Sequence, residues 1–152
     1  MHIESRSFRD HGEIPQKYTC DDWNVNPPIK IFDVPAGTKS LVLIMDDHDK
    51  EDPSGEWTHW IVWNIDPKVK KISKNSIPKG SVEGRNSFGK PGYIGPCPLF
   101  QHMYRFRLYA LDTKLDLKKN AMPKEVVEAM RGHKIEKATL TCFYDRDFGV
   151  VV

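Results

Sequence analysis

Two segments of this chain are apolar on both faces of a β-strand. In KSLVLIMDD (39–47), Leu41, Leu43 and Met45 fall on one face and Val42 and Ile44 on the other, because strand side chains alternate with a period of two. EWTHWIVWNI (56–65) places Trp57, Ile61, Trp63 and Ile65 on one face and Trp60 and Val62 on the other. A strand without a polar face has to be covered from both sides, so both segments are expected in the middle of a sheet. HMYRFRLYAL (102–111) alternates more clearly, with Tyr104, Phe106, Leu108 and Ala110 opposite Arg105, Arg107 and Tyr109. KIEKATLTCFYD (134–145) reads as a further strand. The one convincing helix is NAMPKEVVEAMRGH (120–133): Pro123 suits a first turn, Val126, Val127 and Met130 share a stripe, and Gly132 suits the stop. These elements predict a mainly β fold, a largely antiparallel sheet packed on a second sheet with a peripheral helix.

With 152 residues and no boundary or internal repeat, the chain reads as a single domain, 1–152. Its 23 bases nearly balance 21 acids, leaving a formal charge of +2. No strong field draws it to nucleic acid or an anionic membrane. The lysine-rich DPKVKKISKNSIPKG (66–80) lacks aromatics for base stacking and reads as a solvated loop. No apolar run is long enough for a membrane-spanning helix, and MHIESRSFRDHGEIP is too polar for a secretory signal, so a cytoplasmic location is expected. Cys20, Cys97 and Cys142 are odd in number, widely spaced and lack a CxxC pair. That pattern predicts reduced, packed thiols rather than a disulfide framework or a zinc site.

The candidate chemistry lies at the strand ends. Strand phase puts Asp47 with Leu41, Leu43 and Met45, His59 with Trp57, Ile61 and Trp63, and His102 with Tyr104, Phe106 and Leu108. Each polar group thus points to an apolar face, where an unpartnered charge or imidazole costs several kcal/mol, as an order of magnitude. The three are expected to satisfy one another at one end of the sheet, with His59 as a wall of a polar pocket. A carboxylate beside a histidine orients the ring, and two imidazoles so held can donate hydrogen bonds to an anion. The glycine-rich GRNSFGKPGYIGPCP (84–98) adds a loop that could turn backbone N–H groups inward as a phosphate cradle. Two other chemistries fit the residue types. Asp47, His59 and His102 have the composition of a two-histidine, one-carboxylate metal site, though no HExxH spacing occurs, and Cys97 in GPCP is a nucleophile candidate without a helix N-terminus to activate it.

The same segments carry a family resemblance. YTCDDWNVNPPIKIFDVPAGTKSLVLIMDDHD, EWTHWIVWNI, GYIGPCP, HMYRFRLYALD and LKKNAMPKEVVEAMRGHKIEKATL occur in the order seen in the phosphatidylethanolamine-binding protein family, in its bacterial Raf-kinase-inhibitor-like branch, from about residue 5 to 146. The resemblance implies a β-sandwich-like fold with a large central antiparallel sheet and a smaller one, and a pocket for phosphate-type head groups. By their match to the family's motifs, Asp47, His59, Gly95, Pro96, His102 and Tyr104 are the implied ligand-binding residues. The chain departs from the family pattern in two places: DHDKE stands where DPDAP is usual, so that His48 replaces a proline, and Phe100, Gln101, His102 and Met103 stand where G-x-H-R is usual. The missing arginine would brace the pocket rim, against a position such as Asp49.

The resulting expectation is a non-enzymatic binding protein without a cofactor, whose ligand is a small phosphate-like or carboxylate anion. An unidentified protein partner and a regulatory role go with it, and relatives in the branch can form homodimers. Nucleic acid and stable membrane insertion are not expected. The alternatives are a protease or kinase inhibitor acting through surface loops, and a metal-dependent enzyme using Asp47, His59 and His102. The acidic loop DDHDKEDPSGE (46–56) reads as solvated.

Overall fold

The doubly apolar segments lie side by side at the heart of the fold in the computed structural model, which describes residues 1–48 and 57–146. In chain order the strands are β1 (His2–Glu4), β2 (Gly12–Glu13), β3 (Ile29–Phe32), β4 (Ser40–Asp47), β5 (Trp57–Ile65), β6 (Lys71–Ile72), β7 (Val82–Glu83), β8 (His102–Leu111) and β9 (Lys134–Tyr144), with helix α1 (Pro123–Met130) between the last two. The larger sheet runs β2-β9-β8-β4-β5-β7 and the smaller β1-β3-β6. β2 pairs parallel with β9, which makes the larger sheet mixed; the other named pairings are antiparallel. Every residue of β4 is buried.

Two apolar layers follow from the alternation. Leu41, Leu43, Met45, Phe106, Leu108 and Leu140 meet Ile3, Ile29, Ile31 and Ile72 of the smaller sheet, while Val42, Ile44, Ile61, Trp63 and Tyr109 meet Val126 and Met130 of α1. Glu125 accepts a hydrogen bond from the Met122 backbone N–H at 3.1 Å, closing the first turn of α1, and Gly132 adopts φ +78° just beyond its end. Val127, expected in the buried stripe, is 43% exposed. It sits next to Val126 in sequence, about 100° around the helix, and the contact with the sheet is too narrow to cover both.

The faces of β5 also differ from the period-two expectation. Leu41 pairs with Ile65 but Leu43 with Val62, three residues on β5 against two on β4. Asn64, at φ +53°, lies within the extra stretch, a β-bulge that reverses the phase. Ile65 therefore joins Trp60 and Val62 in the layer between the sheets, away from Ile61 and Trp63 under α1.

Cysteine pairing is a further correction. Cys20 and Cys97 form a disulfide, with Cα atoms 5.4 Å apart and a sequence separation of 77. Motif spacing reports local pairs, whereas this bridge joins two distant loops that only the folded chain brings together. Cys142 is free and buried, and burial pushes its thiol well above the ordinary value. Among the described residues no helix is long and apolar enough to cross a membrane. Closing so long a loop removes much of the unfolded chain's freedom. The double substitution Cys20→Ser, Cys97→Ser is expected to lower unfolding free energy by about 4 kcal/mol, to be read from urea unfolding of the oxidised protein and the variant.

Candidate functional site

A second bulge in β5 builds the site. Met45 pairs with Trp60 and Asp46 with Thr58, so β5 spends one residue more than β4 over this step, and the extra residue is His59. Regular alternation would put His59 on the α1 side with Ile61 and Trp63. Instead its ring meets Tyr104 edge-on, with centroids 5.4 Å apart. Tyr104 pairs with Asp47 across β4 and β8 and belongs to the layer between the sheets. A bulge re-aims a side chain in this way by changing which face it leaves from. Asp47, His59, Tyr104 and His102 thus meet on one face at one end of the larger sheet, a convergence that phase alone would not have produced.

Hydrogen bonds fix both imidazoles. His102 Nδ1 lies 2.8 Å from Asp47 Oδ2; a carboxylate accepts, so Nδ1 carries the proton. His59 Nδ1 donates to the Ile94 carbonyl at 2.6 Å, and the Ile94 N–H donates back to the His59 carbonyl at 3.1 Å. Tyr104 touches both rings, the His102 contact having a centroid distance of 6.3 Å. Asp47, His59 and Tyr104 are buried, while the His102 side chain retains 29% of its exposure. Of these four side chains, that of His102 is the one solvent reaches. The neighbouring Asp46 points to the opposite face, where Arg105 and Arg107 hold its buried carboxylate. Adjacent aspartates thus serve different faces of the strand.

The glycine-rich loop forms a wall rather than a donor cradle. Gly84, Asn86, Ser87, Gly89, Gly92 and Ile94 donate their N–H groups to backbone carbonyls, and Gly95 donates to Asn24 Oδ1 at 2.7 Å. What Gly95 supplies is close approach: an added Cβ would lie 2.1 Å from the Tyr18 carbonyl oxygen and 2.9 Å from Asn24 Oδ1. Pro96 is buried and its carbonyl accepts from the Cys20 N–H at 3.2 Å. Tyr93 Oη donates to the Tyr18 carbonyl at 2.7 Å.

Phe88 was not anticipated. It meets the His59 ring at 5.4 Å and Trp57 at 5.1 Å, and 44% of its surface remains exposed. An aromatic in a glycine-rich loop is a signal the sequence offered. Ile94 and Asn24, which act through a carbonyl and a distant loop contact, gave none. His48 is exposed; Asp49, proposed to meet a bracing arginine, and most of the acidic loop lie outside the described residues. Among the described residues no three His, Cys, Asp or Glu side chains are grouped as metal ligands would be. Cys97, in its disulfide, is not a free thiol nucleophile.

On the β9 side, Tyr144 pairs with His102 and its hydroxyl donates to Asp21 Oδ2 at 2.6 Å. Arg146 Nε donates to the same oxygen at 2.9 Å. The Tyr144 hydrogen bond, then Arg146, lowers the Asp21 carboxyl below its ordinary 3.8, while burial, then the bond to Asp21, raises the Tyr144 hydroxyl. A cleft of about 490 Å³ opens here, lined by Glu13, Gln16, Asp21, Tyr144 and Arg146 among others.

A family model described as phosphatidylethanolamine-binding protein matches residues 4–145. A UPF0098 protein of Methanothermobacter thermautotrophicus is 46% identical, covering 96% of this chain and 99% of its own. Of solved structures, the Chlamydia trachomatis protein CT736, titled a phosphatidylethanolamine-binding protein homologue, superposes with a TM-score of 0.88 at 38% identity, covering 96% of this chain and 97% of the other. Escherichia coli YbcL, described as a member of the mammalian family, gives 0.88 at 28% identity, covering 96% and 98%.

Two outcomes follow from this geometry. Gly95→Ala has to displace the Tyr18 backbone, so it is expected to cost roughly 1–3 kcal/mol in chemical denaturation. Asp21, with its folded pKa lowered, contributes stability that is present above 3.8 and lost as the pH falls through the folded value. The stability gap between the wild type and Asp21→Asn should therefore be full at neutral pH and shrink below 3.8 in acid-range unfolding measurements.

Proposed function

Since the chain belongs to the phosphatidylethanolamine-binding protein family, we propose that it is a binding protein rather than an enzyme, taking a small phosphate-like or carboxylate anion at the His59–His102 end of the larger sheet. The observation that carries this reading is the fixing of both imidazoles through Nδ1, His59 on the Ile94 carbonyl and His102 on Asp47. Rings held in this way keep a fixed orientation, and an imidazolium N–H donates a charge-assisted hydrogen bond to an anionic oxygen. Tyr104 keeps the rings in place, and Gly95 with Pro96 closes the wall behind His59.

In this reading the two imidazoles serve as hydrogen-bond donors that hold the ligand. The occupied and empty states then differ in charge and surface at the half-buried His102, which is where a protein partner would read them. The missing rim arginine, with Met103 after His102, leaves affinity to the histidines.

The test uses substitutions that keep the structural bond. An asparagine amide can replace Nδ1 but not Nε2. His59→Asn and His102→Asn should stay folded and each weaken inorganic phosphate or phosphoethanolamine binding at least about tenfold in calorimetry. No heat from the wild type at millimolar anion contradicts the proposal.

A further inference from the structure

The Cys20–Cys97 disulfide joins the two loops that back the proposed site. On one side, Thr19 to Asn24 supplies the Cys20 N–H to the Pro96 carbonyl and Asn24 Oδ1 to the Gly95 N–H. On the other, the Tyr93–Cys97 segment carries Ile94, whose carbonyl accepts the bond that orients His59. The bridge thus lies three residues along the chain from an atom that fixes a ligand-facing ring. Cys97 is exposed and Cys20 partly so, in contrast with Cys142, which is buried with its thiol raised. Exposed disulfides are the ones that thiols reach and exchange with.

We propose that Cys20–Cys97 is a reducible clasp that regulates the anion site: closed, it holds the Tyr93–Cys97 wall and the His59 ring in the binding arrangement, and opened by a dithiol reductant it lets the wall move and lowers affinity. The inference rests on the anion-site reading for its functional half and on the loop contacts alone for its structural half. In the opening step, one thiolate of the dithiol attacks an exposed sulfur of the bridge and forms a mixed disulfide, and the other cysteine leaves as a thiolate. The second thiol of the reductant then displaces the remaining cysteine. Two electrons pass to the protein, the reductant ends as a cyclic disulfide, and Cys20 and Cys97 take up two protons.

Opening the bridge does not dissolve the site. The Gly95–Asn24 and Tyr93–Tyr18 hydrogen bonds do not run through the bridge, so the reduced wall is expected to sample the binding arrangement part of the time. Apparent affinity falls by the fraction of time it is correctly placed. A wall in position one-tenth of the time gives about tenfold weaker binding.

The experiment compares the full chain before and after dithiothreitol without denaturant. Alkylation and mass measurement should show no modified cysteine in the oxidised protein and two in the reduced one, with Cys142 reacting only after unfolding. Circular dichroism should confirm that both forms are folded. Hydrogen exchange in peptides covering 18–24 and 93–99 should speed up at least about tenfold on reduction while β4 and β8 stay protected, and calorimetry with inorganic phosphate should show about tenfold weaker binding. The folded double variant Cys20→Ser, Cys97→Ser should match the reduced form without any reductant.

A bridge that resists dithiothreitol in the folded protein, exchange that is the same in both forms, or faster exchange with unchanged phosphate affinity each overturns the clasp. If even the oxidised protein binds no phosphate, the anion-site reading falls. The clasp is then judged by exchange alone, faster exchange upholding it as a loop clasp and equal exchange overturning it.

Discussion

One extra residue in β5 decides where His59 points. β4 is buried along its whole length between β5 and β8, so its register with β5 fixes which side chains enter each apolar layer. With regular pairing throughout, His59 would have entered the layer under α1, an apolar setting that offers an imidazole little to bond. The bulge opposite Met45 and Asp46 moves it to the face of Asp47 and Tyr104. Every other feature of the candidate site takes its place around that displaced ring: the Ile94 carbonyl, the Phe88 edge, and the glycine that lets the wall approach.

The wall is built from backbone groups that have already found partners. Its N–H groups bond within the loop, to β5 carbonyls and to Asn24, which leaves side chains as its candidate recognition groups. This division of labour makes position the critical quantity. A ring held by a carbonyl on a loop is only as well placed as that loop, and the loop is tied to the Tyr18–Asn24 segment by two hydrogen bonds, a tyrosine hydroxyl and a disulfide. The rigid sheet positions Asp47, Tyr104 and His102; the tied loop positions His59.

Much of the fold was legible because burial on both faces leaves a plain mark. The central position of β4 and β5, the alternation of β8, the last strand and the helix all followed from runs of apolar residues. The residue set Asp47, His59, His102 and Tyr104 was also legible, from phase and from family motifs together. Their convergence was not, since period-two reasoning assigned His59 and Ile65 to faces that two bulges reverse, and a bulge depends on pairing with a neighbour that the strand's own sequence does not display. Val127 was misplaced for a related reason: helical periodicity marks an apolar stripe but not its width. The disulfide escaped because its cysteines, at a sequence separation of 77, are brought together only by tertiary structure. Phe88 was the one missed contact whose residue type gave a hint.

The most direct test of the account is a long-range nitrogen–proton NMR spectrum of the six histidine rings recorded as inorganic phosphate is added. The account predicts that His59 and His102 both carry the proton on Nδ1 before addition, and that their Nε2 resonances move together and saturate while His2, His11, His48 and His133 do not follow the same curve. A His59 ring protonated on Nε2 alone in the free protein, or a saturating response from His102 without His59, would contradict the claim that the bulge delivers His59 to the ligand face.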